Sequence, residues 1–481
     1  MNVLDKLISA FSPQAGLRRA QARQALQLYG DQKRTFEGAS KAARLSGLAG
    51  RIDDAPSAVR PYAKQLRGNI RELRRNSVWA NKSINVICDQ TVGYGFSAKS
   101  QLPELDAAWR SWSESTACDY LGVSTFGGLT RQVMGAVGEA GEALAVRRIS
   151  KKTRRLKIQL LEADYLDSDK GEDGIERDSD GDIVAYWLFD RHPGDALKRG
   201  APKSSKVPAS EVIHVFLPER PGQTRGVSRL APSVVRMWDY ETFEDAELTR
   251  RKVASCFAGF IKDNRELFEE KPTEISTINL QPGIMQPLKP GTDVVLTQPP
   301  NVSETGEYAK ACLRAIAAGN GITYADLTGD YTNATFSSGR MERIAAWRRV
   351  EVDQWLMLIP LFCDRVWAWH AENFAATEEG ISAAAKLIAL KTKADWVVPA
   401  MPIIDPSTDT ESDTKAVRSG LKTLSEAIRE RGKDPEAHFA EMQEDCAKID
   451  SLGLVLDSDP RKLSQQGQNQ QTYGKTQANP A

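Results

Sequence analysis

Apolar residues recur at helical spacing early in the chain. Leu66, Ile70, Leu73 and Trp79 form one stripe, while Arg67, Arg71, Arg74 and Arg75 share much of the remaining surface. The spacing predicts a helix from residue 61, continued by apolar positions from Asn81 to Val92 and broken by the turn Gly93-Tyr94-Gly95. From 102 to 218 the period mixes helix and strand. Trp109 and Trp112 share a helix face, and 126–134 is a short helix. Residues 143–146, 156–161, 183–189 and 212–217 have strand composition, the third following the acidic turn Asp178-Ser179-Asp180-Gly181-Asp182. This part reads as α+β.

A long helix is predicted over 229–262. Its first half is acidic (Asp239, Glu241, Glu244, Asp245, Glu247) and its second basic (Arg250, Arg251, Lys252, Lys262), the order that complements the helix dipole. Prolines 272, 282, 287, 290, 299 and 300 exclude long helices from 263–302, which reads as a small β-rich insertion. Helix returns over 307–318 and stops at Gly319-Asn320-Gly321. A polar loop follows at 325–339. Ser338 is the expected cap of a helix running to about Phe374 through Trp347, Trp355, Trp367 and Trp369, with a kink at Pro360. Those tryptophans suit a subunit interface and ordinary core equally. Residues 376–395 read as helical, 397–406 as extended and 410–451 as helical. The Gln/Asn-rich stretch 457–481 has the composition of a disordered tail. Residues 1–60 form a basic arm, either a solvated extension or a contact to an acidic partner or nucleic acid.

Composition narrows the function. Lys+Arg and Asp+Glu are both 64, so net charge is zero, which argues against coating nucleic acid by bulk charge. Hydrophobic residues make up 41% of the chain, enough for a sizeable core. No uncharged apolar run approaches the ~18 residues of a membrane span. The longest, 354–363, contains Pro360. Asp5 and Lys6 interrupt the apolar start, so no secretory signal is expected. The six cysteines are far apart with no CxxC pair, which predicts free thiols and no zinc ribbon.

Each familiar catalytic pattern fails. Gly474-Lys475-Thr476 has Asn469 where a phosphate loop needs glycine, and no strand precedes it. His370-Ala371-Glu372 lacks the PCxxC of a zinc deaminase. His192, His214, His370 and His438 are scattered and read as structural or surface residues. A calcium loop starting at Asp169 would put Gly171 at its third position and Asp180 at its twelfth, where a bidentate Glu belongs. The expectation is no catalytic residue, metal or cofactor, and no enzyme activity.

A collinear series of segments carries a resemblance. It begins with LRGNIRELRRNSVWANKSINVICDQTVGYGF at 66–96. Leu161-Glu162-Ala163-Asp164, the Gly-Ile-Glu-x-Asp segment 174–178, His214-Val215-Phe216 and RPGQTRGVS at 220–228 come next, in order. Phe336-Ser337-Ser338-Gly339-Arg340, Trp396-Val397-Val398-Pro399 and Ile404-Asp405-Pro406 complete it. Across roughly 60–440 the chain resembles phage portal proteins of the lambda family.

The resemblance implies an α+β portal fold: α/β wing, two-helix stem, small β-rich clip and a mostly helical C-terminal region. It assigns a basic N-terminal arm (1–60), wing (61–228), first stem helix (229–262), clip (263–302), second stem helix (303–324) and tunnel loop (325–339). A long kinked helix (340–375), a C-terminal wing or crown (376–456) and a tail (457–481) complete the order. It implies a homo-oligomeric ring, usually of twelve subunits, at one capsid vertex of the virion, assembled in the host cytoplasm and without a membrane. Double-stranded DNA would pass through it without sequence preference. The other implied partners are terminase, major capsid and scaffold proteins, and head-tail connector proteins. Asp330, Tyr331, Thr332 and Asn333 become the tunnel-loop residues facing DNA, and Arg250, Arg251, Lys252 and Lys262 the stem-helix cations. The competing classes are a nucleic-acid-processing enzyme, such as a nuclease with a carboxylate site, and a non-portal capsid or adaptor protein.

Overall fold

The computed structural model describes residues 52–255 and 305–454, apart from 198–199, 333–334 and 403–404. The arm before residue 52, Lys262, the 263–302 insertion, Asn333 and the 457–481 tail lie outside the described residues. The chain divides into two units, Met1–Asp54 and Ala55–Ala481, and the second holds every helix and strand of the described residues.

The first predicted helix is two. Helix α1 (Ala55–Asn76) buries Arg67, Ile70 and Leu73. Ser77 then takes an extended conformation and caps α2 (Val78–Thr91), its side chain accepting from the Ala80 amide. A serine competes with the backbone for hydrogen bonds, which is why the apolar stripe runs on while the helix does not. Strand β1 (Ser97–Lys99) leads to α3 (Pro103–Ser113), where Leu105, Trp109 and Trp112 make one buried stripe. Helix α4 (Phe126–Ala140) is capped by Thr125 and ends at Gly141 in the left-handed region.

Strands β2 (Ala143–Ile149) and β3 (Leu156–Glu162) form a hairpin. Strands β4 (Ile175–Arg177), β5 (Ile183–Phe189), β6 (Ser204–Pro208) and β7 (Val212–Val215) come after it. The antiparallel order β3-β2-β7 places Ala143 opposite both Glu162 and Val215. A second antiparallel sheet, β4-β5-β6, has its own smaller core around Leu166, Ile175, Tyr186 and Leu188.

Helix α5 (Val234–Ser255) starts later than the sequence suggests, because 229–233 are spent in turns. Helix α6 (Thr305–Asn320) ends where the Gly-Asn-Gly stop predicts. The polar stretch after it differs from expectation. Its first part is a short helix, α7 (Tyr324–Thr328), capped by Thr323 and closed by Gly329. Thr335, not Ser338, caps α8 (Phe336–Asp353). Ser338 is the reciprocal partner in a capping box, three residues in, which explains why either residue looks like a cap in sequence.

Helix α8 continues without a break through a π-helical segment, Gln354–Cys363, into α9 (Asp364–Thr377). Pro360 sits in that segment. It lacks an N–H and its ring would strike the carbonyl four residues back in an α-helix, and the wider turn accommodates it. Residues 376–395 are not one helix. Glu378 turns extended, Ser382 caps the short α10 (Ala383–Ala389), and β8 (Asp395–Val397) pairs antiparallel with β1. The C-terminal helical stretch is three helices, α11 (Pro406–Arg418), α12 (Leu424–Glu430) and α13 (Pro435–Ser451).

The main core is aromatic. Phe126 stacks on Phe362 with centroids 5.6 Å apart, and Trp109 meets Trp112, Trp367 and Trp396. Buried indoles reach acceptors: Trp112 donates to the Leu156 carbonyl, Trp367 to Thr392 and Trp369 to Ser210. Of the tryptophans between 347 and 369, Trp347, Trp367 and Trp369 are therefore core, and Trp355 is 51% exposed. Cys88, Cys118, Cys312, Cys363 and Cys446 are free thiols.

Candidate functional site

The helix pair α5–α6 is built as an antiparallel hairpin whose inner face is apolar. Met237, Tyr240, Leu313 and Ile316 are buried, and Phe243 packs edge-on against Tyr308 with centroids 4.9 Å apart. At its base Ser233 donates to Asn320, which in turn donates to Ser83 of α2 at 2.9 Å. Two of the predicted stem cations meet on one acid. Arg250 and Arg251 bond Glu247 at 2.6 and 2.9 Å, and these bonds draw the Glu247 carboxyl down to about 2. Lys252 is exposed one residue on. Glu247 precedes the two arginines at the helical spacings i, i+3 and i, i+4, so the boundary between the acidic and basic halves of the helix is itself ion-paired.

Among the predicted loop residues, Asp330 and Thr332 come together. Asp330 accepts from the Thr332 amide at 3.0 Å and its hydroxyl at 2.6 Å, and also from the Tyr324 hydroxyl at 3.3 Å. The Thr332 bonds hold the Asp330 carboxyl below its ordinary value. Tyr331 projects outward and is 62% exposed. The start of the loop is tied down, because Asp326 accepts from Arg343 at 2.9 Å and Gln90 at 3.0 Å.

Sequence reasoning missed a buried ionic junction behind the hairpin. Glu142, at the start of the β2 strand, is fully buried. Arg225 bonds it from Nε at 2.8 Å, the Gly226 amide donates at 2.8 Å and His214 Nε2 donates at 2.9 Å. The Arg225 guanidinium also bonds the carbonyls of Asp173 and Ala163. Burial pushes the Glu142 carboxyl up, but Arg225 and His214 outweigh it and hold it well below the carboxylate range. Glycine is required at the crossing. A Cβ on Gly226 would lie 2.1 Å from the Gly141 carbonyl oxygen. Ser228 then donates to the Gly138 carbonyl, and Arg229 grips Asp353 of α8 through both its Nη atoms. The junction thus fastens 225–229, the lead into α5, to the α4 end, the β2 sheet and the long helix. The resembling segments at 161–164, 174–178, 214–216 and 220–228 all converge on or beside it, which was the available signal.

Glu162, Asp164 and His192 bring ligand atoms within 4.8 Å of one another. Arg71 already lies 2.7 Å from Glu162 and 2.6 Å from Asp164, and Arg67 is 3.2 Å from Asp164. The acids are therefore matched by guanidinium groups, and the cluster reads as an ion-pair network extending the junction rather than as a metal centre.

Among the described residues of the hairpin, the loop and the junction, the contacts are ion pairs and hydrogen bonds that fasten elements together. This is the geometry of a rigid mount for a helical hairpin. The model of the family described as phage portal protein, lambda family, matches residues 41–354. A probable portal protein of Halomonas phage phiHAP-1 is 23% identical, covering 88% of each chain. Portal protein B of Escherichia phage lambda is 21% identical over 81% of this chain and 85% of its own length. A chain in the neck of the native gene transfer agent particle, computed with C12 symmetry, aligns over 76% of this chain and 93% of its own, at 14% identity and a TM-score of 0.41. With the family match spanning well over half its residues, the chain belongs to the lambda family of phage portal proteins.

Proposed function

We propose that this chain forms the ring at one capsid vertex through which double-stranded DNA is packaged and later ejected, and that the ring docks terminase and head-tail connector proteins. The observation that carries this reading is the family match over 41–354 together with portal relatives aligned over most of their length. On this reading α5 and α6 are the stem, 263–302 is the clip and the loop around Asp330–Thr332 faces the channel.

The physical chemistry supports a passage rather than a grip. Each phosphate neutralised by a cation releases counterions and adds salt-dependent affinity. Glu247 pairs with both Arg250 and Arg251 and offsets one of their two positive charges locally. Asp330 adds negative charge at the loop, where hydroxyls and amides make weak contacts. Such a lining holds DNA loosely and without sequence preference, while the motive ATPase is a separate partner. The test is packaging in vitro. Capsids assembled with this chain, given terminase, ATP and linear duplex, are expected to protect DNA from nuclease. Equal protection by capsids lacking the chain would overturn the reading.

A further inference from the structure

The hairpin of β2 and β3 turns through RRISKKTRRLK at 147–157, seven cations and no acid. Lys151, Lys152, Arg154 and Arg155 are exposed at its tip, and so is Arg148, which donates to the neutral Gln159 at 2.8 Å. Glu372 of α9 pairs with this segment, and it is taken by Arg147 at 2.6 Å. The α5 arginines share Glu247, whereas the four cations of the tip have no acid partner among the described residues.

The turn beneath these side chains is fixed. The Ser150 amide donates to the Arg155 carbonyl at 3.0 Å, the Arg154 amide to the Ser150 carbonyl at 2.8 Å and the Thr153 amide to the Ser150 hydroxyl at 3.2 Å. Asn373 of α9 clamps the returning strand, accepting from the Leu156 amide at 3.0 Å and donating to the Arg154 carbonyl at 2.9 Å. Arg154 has a φ of 57°, a conformation that Gly or Asn adopts at lower cost. An arginine there adds backbone strain and supplies charge. With the backbone already held, binding through the charged ends orders little of the chain.

The composition of the tip selects its partner. Protein interfaces are depleted of lysine and centre on apolar anchors, and Ser150 to Arg155 include no Leu, Ile, Val, Met or aromatic residue. Phosphates need cations and no pocket. We propose that this tip binds the phosphate backbone of double-stranded DNA without sequence preference, through Lys151, Lys152, Arg154 and Arg155. It is a duplex contact on a different element from the α5–α6 hairpin and the Asp330 loop, and it does not depend on the passage proposed above.

Fluorescence anisotropy of a labelled duplex of arbitrary sequence, titrated with the full chain at several salt concentrations, tests this. K151E/K152E/R155E is expected to weaken binding by about tenfold or more at low salt and to lower the slope of log affinity against log salt by about 2 to 3, as three phosphate contacts are lost. K64E/K82E/K433E makes the same charge change at exposed lysines elsewhere, and L121S/V123S removes the exposed apolar pair of the loop beside β3. Both should bind close to wild type. The contact is overturned if wild type does not bind the duplex, if K151E/K152E/R155E binds as wild type does, or if either control variant loses as much. Native mass spectrometry of the same samples follows assembly separately. Wild type and K151E/K152E/R155E should assemble equally, and loss of rings in that variant alone would make the tip a subunit contact and overturn the proposal. A chain that forms no ring but loses duplex binding with the tip charges would contradict the passage and leave this contact standing.

Discussion

At Glu142 a single carboxylate collects bonds from Arg225, the Gly226 amide and His214 with no exposure to water. Removing the charge from such a buried pair strands its partner, at a cost of about 3–5 kcal/mol. E142Q is expected to lower stability by that order in chemical denaturation at pH 7. The depressed carboxyl sets the sign of the pH effect. Its ordinary value is 4.5, so its contribution is complete above that pH and is lost as pH falls toward the lower folded value. E142Q should therefore flatten the decline of wild-type stability below pH 4.5. His370 acts on a higher pH window. Burial against Trp109 and Trp112 pushes it down from 6.5 to about 4. Stability is full above pH 6.5 and decreases as pH drops to about 4, by about 3 kcal/mol for this group. H370F is expected to remove that slope, and denaturation curves at pH 7 and pH 4.5 measure it. Parallel losses in wild type and H370F would contradict the assignment. The charge pairings themselves were not legible in the sequence. Arg67, Glu142, Asp164, His214 and Arg225 are far apart along the chain, and local patterns carry no information on which distant charges meet.

Elements were far more legible than pairings. The strands predicted at 143–146, 156–161 and 183–189 and the helix stop at Asn320 come from apolar period and glycine placement, and the first two strands run on to Ile149 and Glu162. Four of the misreadings share one cause. At Ser77, Thr323, Thr335 and Ser382 a hydroxyl side chain caps a helix start inside what looks like continuous helix or featureless loop. The loop after α7 is consequently shorter and better anchored than its composition suggests, with Asp330 and Thr332 forming a closed turn. Replacing Asp330, Thr332 and Asn333 together by Lys would add three cations per subunit at that turn. DNA transit is expected to slow and to become strongly dependent on salt, with ring assembly unchanged. Packaging and ejection rates at two salt concentrations check this. Rates equal to wild type at both would show that the loop does not line the channel.

For the whole molecule, the junction, the hairpin and the long helix form one mechanical path. Arg229 joins the lead into α5 to Asp353, and Ser233, Asn320 and Ser83 tie the hairpin base to α2. On the proposed reading, in which the hairpin is the stem of a DNA passage, such a mount keeps it aligned with neighbouring copies. The family resemblance was legible only as an ordered series of short segments, and the structure gives that series a physical meaning by gathering several of them around one buried charge. The central claim is that many copies of this chain enclose a channel. Electron microscopy of the purified full-length protein tests it most directly. The account predicts closed rings, usually of twelve subunits, with a central opening wide enough for a duplex; particles of one or two copies at every concentration, or assemblies without an axial opening, would contradict it.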